Sequence, residues 1–177
     1  MSEAAASAEV THAHPEGVAG AVAVAIAAAL SATEPQLCGA EFLERVADRM
    51  SEGAVRDKLR QAAGIDDSGT AAGELGVGHD TSAVDTVPFG LWVVAHHGHD
   101  FADACWTAVA AGGDIDTTCA IIGGILGARA TSDGLPLDWL ERCEPLPEWA
   151  ITHRVAVVQE VEWWCAREDS NLRPPAS

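Results

Sequence analysis

The feature that most constrains the fold of this chain is an apolar run of small residues at positions 18–30, VAGAVAVAIAAAL. Alanine is the best helix former, and this run is small on every side, so it predicts a helix that neighbours pack closely on several faces. No alternating pattern typical of a β-strand occurs anywhere in the sequence. We therefore expect an all-α fold with short connections and one long glycine-rich loop.

Apolar spacing and end signals predict the remaining helices. Aspartate is a favoured residue at a helix start, and glycine at a helix end. The predicted helices are 41–50; 55–63, stopped by Gly64; one capped by Asp85 and stopped at Gly98; one capped by Asp100 and ended by Gly112; 119–130; 136–142; and 146–164.

The glycines predict two further features, a long loop and a close crossing of two backbones. Residues 64–83 hold five glycines and little periodicity, which predicts a long loop. Its segment Gly73–Gly78 lacks the strand and helix of a phosphate-binding fingerprint, so we interpret it as flexible. Within the helix over 119–130, Gly123, Gly124 and Gly127 each cost about 1 kcal/mol against alanine. Another backbone is therefore expected to cross very near them.

The chain has 27 acidic and 10 basic residues, a formal net charge of -17. Phosphate backbones and anionic membrane surfaces would be repelled, so nucleic acid and membrane partners are not expected, whereas cations are favoured. The run at 18–30 is shorter than the roughly 20 residues of a membrane span, and no targeting segment is visible. We expect a cytoplasmic protein.

The five cysteines, Cys38, Cys105, Cys119, Cys143 and Cys165, are an odd number, lie far apart and form no CxxC pair. Neither a disulfide framework nor a zinc site is therefore indicated. We interpret them as reduced and mostly buried thiols.

The stretch GGDIDTT contains the strongest candidate for chemistry. Asp114, Asp116 and Thr117 stand between a glycine turn and a helix start, where their oxygens can converge. Carboxylate and hydroxyl oxygens without soft ligands suit Mg²⁺ or Mn²⁺. Aspartate and threonine are also ordinary residues at a helix start, so a capping role explains the same pattern.

Three ordered segments resemble the ADP-ribosylglycohydrolase family. GGDIDTTCAIIGGILGA resembles its C-terminal metal motif, THAHPEGVAGAVAVAIA its Thr/Ser-His segment with the following helix, and AVDTVPFGLWVVAHHGHDFADACWTAVAAGGD the helices that lead into the motif. Together they cover roughly residues 10–149. The resemblance implies a compact orthogonal helical bundle that hydrolyses a glycosidic ADP-ribose bond, with ADP-ribosylated proteins or small ADP-ribose adducts as substrates.

Carried over from the family, Asp114, Asp116 and Thr117 match ligands of a two-metal Mg²⁺ (or Mn²⁺) centre, and His12 matches a histidine that holds ADP-ribose. Asp114 and Asp116 would also be the catalytic residues, because ligands of this centre orient the attacking water. His14 has no assigned role. The other histidines show no ligand spacing and are expected on the surface or in loops; these are His79, His96, His97, His99 and His153.

The sequence departs from the family in its N-terminal half, where a Thr-Asp-Asp ligand set, an early acidic residue and a glycine-rich substrate loop are expected. The only adjacent aspartate pair, Asp66-Asp67, follows the His12 segment and is interpreted as a solvated turn. We therefore expect residues 1–165 to be a partial domain, incomplete at its N-terminus, followed by a disordered tail at 166–177. The polar, proline-containing sequence of this tail also resembles one added by out-of-frame read-through.

This departure leaves the activity open. The chain is a hydrolase if the missing ligands are supplied, for example by a separate polypeptide. Alternatively, it is a catalytically inactive, truncated helical module with a binding or assembly role. In either case, faces that the missing half would cover are expected to favour oligomerisation.

Overall fold

A computed structural model describes residues 2–129 and 134–142 of the chain, and this part contains α-helices and no strand, as predicted. Residues 1–137 form one compact unit and residues 138–177 a second, of which 138–142 are described. The predicted helix over 146–164, the tail at 166–177 and His153 lie outside the described residues. The helices are α1 (Ser2–Glu9), α2 (Pro15–Thr33), α3 (Gly39–Ala47), α4 (Ala54–Ala62), α5 (Ser68–Leu75), α6 (Ala83–His97), α7 (Phe101–Ala111), α8 (Ile115–Gly127) and α9 (Leu137–Arg142).

Helix α6 is the centre of the first unit, because it contacts α2, α3, α4, α5, α7 and α8. Its residues from Thr86 to Ala95 are all buried. Trp92 is 1% exposed, and its indole N–H donates to the carbonyl oxygen of Ile65 at 2.8 Å. A buried indole needs such an acceptor, since an unpaired donor would be costly. The contact fixes α6 against the end of α4.

Two histidines at the end of α6 were predicted on the surface or in loops, and this prediction was wrong for both. The His96 ring stacks on Trp92 with centroids 4.4 Å apart. The His97 ring lies 2.7 Å from the Asp103 carboxylate on α7. Both side chains are half-buried. Aromatic packing on Trp92 therefore places them at a helix junction, which the sequence pattern did not indicate.

Helix α2 includes the run at 18–30 and is longer than predicted, since it extends from Pro15 to Thr33. It contacts α1, α3, α4, α6 and α8, which confirms packing on several faces. With 19 residues, α2 is also long and apolar enough to cross a membrane by length and composition, a test that buried core helices pass as well.

The long loop predicted at 64–83 contains a helix, α5. Asp67 begins it, since its carboxylate accepts the Thr70 N–H at 2.9 Å, and Ala71 and Leu75 are fully buried against the core. Asp66 and Asp67 are both exposed, as the interpretation of a solvated turn requires, and Asp67 has the additional role of N-cap. Burial of two apolar side chains one turn apart outweighs the low helix propensity of glycine here.

Close backbone approach occurs in the bundle, although not at the predicted glycines. Among the residues that the structure describes, a side chain at Gly124 or Gly127 would meet none within 4 Å, and one at Gly123 would meet only the Phe101 ring. The close approach is instead at Gly20 on α2, where a Cβ would lie 2.7 Å from the Ala83 Cβ on α6. Glycine is required at the crossing of α2 and α6, whereas Gly124 and Gly127 of α8 are not approached by any described segment.

Candidate functional site

The predicted metal motif forms the start of α8. Asp114 is the N-cap, and its Oδ1 accepts the Thr117 N–H at 3.3 Å. Its carbonyl oxygen accepts the Thr118 N–H at 3.0 Å, the first hydrogen bond of the helix. Asp114 is half-buried, whereas Asp116 and Thr117 are exposed. Asp114 therefore caps the helix, and its second carboxylate oxygen can still serve another ligand.

The three oxygen-bearing side chains converge on Asp114. Three contacts hold the pKa of the Asp114 carboxyl below its usual range. The largest effect comes from a hydrogen bond from the Thr117 side chain, and smaller ones come from the Asp116 side chain and from a hydrogen bond from the Thr117 N–H. Asp114 is thus ionised at neutral pH. An ionised carboxylate beside a second carboxyl and a hydroxyl is a donor set that hard divalent cations prefer.

The loop between α5 and α6 sets the position of Asp114. Its backbone N–H donates to the Val77 carbonyl oxygen at 2.8 Å. Gly113 and Gly78 both have positive φ, at 73° and 90°, and a Cβ at Gly78 would lie 2.5 Å from the Asp114 Cβ. Gly76 and Gly78, both with positive φ, therefore serve internal packing, whereas Gly73 is an exposed residue of α5. The interpretation of 73–78 as a flexible segment is not supported.

Asp114 and Thr117 open onto a groove of about 1100 Å³ that also contains His12. One wall is α8, through Asp114, Thr117, Ile121 and Gly124, and the floor is α2 from Glu16 to Ala28. Asp116 is not among the lining residues of this groove and lies beside Asp114. The structure thus brings together His12, Asp114 and Thr117 from segments about a hundred residues apart.

The two histidines before α2 have different positions. His12 is exposed, its Nδ1 lies 2.8 Å from the Thr11 hydroxyl, and its ring packs over Gly17, where a Cβ would be 3.3 Å away. His14 is the N-cap of α2, and its Nδ1 accepts the Glu16 N–H at 3.2 Å. His14 therefore has a structural role at a helix start, whereas the outer edge of His12 is available to a ligand.

Helices α2, α6 and α8 begin at the same end of the bundle. Gly20 of α2 meets Ala83 of α6 near both helix starts, and the residues preceding α6 meet Asp114. At the other end, the Arg129 guanidinium after α8 donates to the carbonyl oxygen of Pro35, just beyond α2, at 3.4 Å. Three helix N-termini therefore face the groove. Their partial positive charges favour anionic groups there.

The start of α6 contains residues that the sequence analysis missed. Ser82, and not Asp85, is the N-cap, because its hydroxyl accepts the Asp85 N–H at 3.2 Å. Ser82 lines the groove, as does Glu16. The signal was present, since serine followed three residues later by an acidic residue is a capping pattern. The caps predicted at Asp100 and the helix end at Gly112 are confirmed.

The donors at the start of α8 fit Mg²⁺ or Mn²⁺ in kind and supply part of a complete site. Among residues 2–129 and 134–142, no group of three or more His, Cys, Asp or Glu side chains is placed to hold a metal ion. Two carboxylates and one hydroxyl would hold such an ion by one side of its octahedral shell.

The thiols of the described part are free and differ in exposure: Cys38 is exposed, Cys105 buried and Cys119 intermediate, so the expectation of mostly buried thiols fails for Cys38. Two causes raise the pKa of the Cys105 thiol to about 11: mainly burial, and to a smaller extent the nearby Cys119 side chain. A thiol with so high a pKa is a poor nucleophile at neutral pH.

Comparison with known proteins extends the resemblance. The family model described as ADP-ribosylglycohydrolase matches residues 1–167, more than the stretch of 10–149 that the motifs cover. A protein of Archaeoglobus fulgidus, described as uncharacterized, is 35% identical over 137 residues, which are 76% of this chain and 43% of that relative. The chain thus spans less than half of the relative's length. No solved structure matches the chain.

Proposed function

Because this chain belongs to the ADP-ribosylglycohydrolase family, we propose that it takes part in the hydrolysis of a glycosidic bond of ADP-ribose with Mg²⁺ or Mn²⁺ as cofactor. The substrate is an ADP-ribosylated protein or a small ADP-ribose adduct, in the cytoplasm. The observation that carries the proposal is the groove that His12, Asp114 and Thr117 all line.

Each part of ADP-ribose has a matching feature in this groove. The diphosphate is an anion, and the N-termini of α2, α6 and α8 favour negative charge where they converge. His12, whose outer edge is exposed, contacts the ligand from the α1–α2 connection. The apolar surface along α2, which includes Ala21, Val24 and Ala25, accepts the less polar parts of the ligand.

The residues at the start of α8 provide the acidic side of the reaction centre. A bound divalent cation polarises water and sugar oxygens, which is the chemistry that it supplies. Asp114 and Thr117 would hold it from the groove and Asp116 from outside the groove, while Asp114 orients the attacking water. The ionised state of Asp114 suits both roles, since a protonated carboxyl neither binds a cation well nor accepts a proton from water.

The full two-metal centre needs ligands beyond these three side chains. We therefore assign the complete activity to the chain together with a separate polypeptide that supplies a Thr-Asp-Asp ligand set. A second candidate function, an inactive helical module that binds ADP-ribose or a partner protein, is favoured by the lack of a group of three metal-binding side chains in the described residues.

Cation binding tests the site directly. Titration of the chain with Mn²⁺, followed by electron paramagnetic resonance and calorimetry, is expected to give binding that Asp114→Asn abolishes. Asparagine caps helices as well as aspartate does, so this variant should fold normally. Asp100→Asn is the matched control, because Asp100 caps α7 in the same way, accepting the Asp103 N–H at 3.0 Å. Equal Mn²⁺ binding by the two variants would reject the metal site.

Ligand binding and hydrolysis separate the two candidate functions. ADP-ribose affinity is expected to fall in His12→Ala and to be unchanged in His79→Ala, an exposed histidine outside the groove. Release of ADP-ribose from a modified protein, at an enzymatic rate and dependent on Mg²⁺, supports the hydrolase. Binding without hydrolysis, with the chain alone and with the Thr-Asp-Asp partner added, supports the inactive module.

A further inference from the structure

We propose that the segment Gly76–Asp80 between α5 and α6, held by Asp85, is a positioning element for Asp114. Gly78 and Asp85 are then positioning residues that touch neither substrate nor metal. The proposal rests on the metal role of Asp114 given above. It concerns residues that lie outside the predicted metal motif and join it only in the folded chain.

The contact between the segment and Asp114 is close on both sides of the peptide. The Asp114 N–H donates to the Val77 carbonyl oxygen at 2.8 Å, and a Cβ at Gly78 would lie 2.5 Å from the Asp114 Cβ. At Gly113 a Cβ would overlap the same Val77 carbonyl. The backbone before α8 thus lies directly on the backbone of this segment.

Asp85 in the first turn of α6 holds the segment from the other side. Its carboxylate Oδ2 accepts the Asp80 N–H at 2.8 Å, and its carbonyl oxygen accepts the Gly78 N–H at 3.1 Å. The carboxylate also lies against Gly76, where a side chain would overlap it. Asp85 thus contacts the segment at Gly76, Gly78 and Asp80. Through these contacts α6, the most buried helix, fixes the position of Asp114.

The expected effect is large because metal geometry tolerates little displacement. An alanine at Gly78 would place its Cβ 2.5 Å from Asp114, about 0.9 Å short of ordinary contact at 3.4 Å. Metal–ligand distances hold within about 0.2 Å. Loss of a residue that orients a ligand lowers metal affinity by about 10–100-fold. We expect a decrease of this size in Mn²⁺ affinity for Gly78→Ala.

The chain offers a matched control in Gly39→Ala. Gly39 also has positive φ, at 57°, but a Cβ there would meet none of the described residues within 4 Å. An alanine is less strained at 57° than at the 90° of Gly78, so Gly39→Ala controls for a positive φ and the Asp85 pair controls for strain. Only Gly78→Ala displaces Asp114. Asp85 provides a second pair: Asp85→Asn keeps a side-chain oxygen for the Asp80 N–H, whereas Asp85→Ala removes it.

The experiment measures Mn²⁺ affinity together with hydrogen exchange of the Asp114 amide, at a temperature well below each variant's Tm. Faster exchange at Asp114 and at least tenfold weaker Mn²⁺ binding are expected in Gly78→Ala and Asp85→Ala, with neither change in Gly39→Ala and retained affinity in Asp85→Asn. Unchanged Asp114 exchange in Gly78→Ala overturns the proposal, as does an equal loss of affinity in Asp85→Asn and Asp85→Ala. If the unmodified chain binds no Mn²⁺, the metal role fails, and the exchange result alone decides whether the segment positions Asp114.

Discussion

Two glycine-to-alanine substitutions test the different roles of glycine in α2 and α8. In a helix, alanine is favoured over glycine by about 0.5–1 kcal/mol. At Gly124 the added methyl meets no atom of residues 2–129 or 134–142 within 4 Å, so the free energy of unfolding should rise by about this amount. At Gly20 the methyl would lie 2.7 Å from the Ala83 Cβ and 3.3 Å from Val87 Cγ2. Ordinary contact begins at 3.4 Å, so α2 and α6 must separate.

Overpacking of this kind costs about 1–3 kcal/mol. After the helix-propensity gain, Gly20→Ala should lower the free energy of unfolding by about 0–2 kcal/mol. The two variants should therefore differ by roughly 1–3 kcal/mol, although the chemical change is identical. For a chain of this size each 1 kcal/mol corresponds to about 2–4 °C in Tm.

Urea unfolding monitored by circular dichroism gives both values in one series. The double variant Gly20→Ala/Ala83→Gly removes the 2.7 Å contact and should recover most of the loss. Two results would refute the reasoning. A Gly20→Ala variant as stable as Gly124→Ala would mean that α2 and α6 are not in close contact. A destabilised Gly124→Ala would mean that another segment fills the groove beside α8.

Three further predictions concern single side chains. Glu16 caps α4, since its carboxylate accepts the Ala54 and Val55 N–H groups at 3.0 and 2.9 Å. In urea unfolding, Glu16→Ala should lower the free energy of unfolding by about 1–2 kcal/mol, and Glu16→Gln, which keeps one acceptor, by about half as much. Thr118 is 1% exposed, and its hydroxyl has no hydrogen-bond partner within the described ranges. Thr118→Val should therefore raise the free energy of unfolding by about 1 kcal/mol. A decrease in that free energy would indicate that the hydroxyl has a hydrogen-bond partner. Burial raises the pKa of the Cys105 thiol from 9.0 to about 11. Its contribution to stability is thus complete below pH 9 and is lost between pH 9 and 11, so stability measured across this range should fall less steeply in Cys105→Ala.

Local signals predicted most of the helices of the described part. The alanine-rich run of α2, the cap at Asp100 and the stops at Gly98 and Gly112 all depend on interactions within a few residues, and these can be recognised from sequence order. The errors at α5 and at the start of α6 have a shared cause. Asp67, Ser82 and Asp85 are all acceptable caps, and only burial of Ala71, Leu75 and Thr86 against the core selects among the possible helix starts.

The sequence by itself determined the all-α class, the order of the main helices, the family and the place of Asp114, Asp116 and Thr117 at a helix start. These follow from apolar spacing, helix end signals and motifs that are local in the chain. Only the tertiary structure decided that His12 shares a groove with Asp114, that α2, α6 and α8 begin at one end, and that Gly78 and Asp85 hold Asp114 in place. These relations join residues far apart in the chain. They depend on how buried faces pack, for which a single sequence carries no local signal.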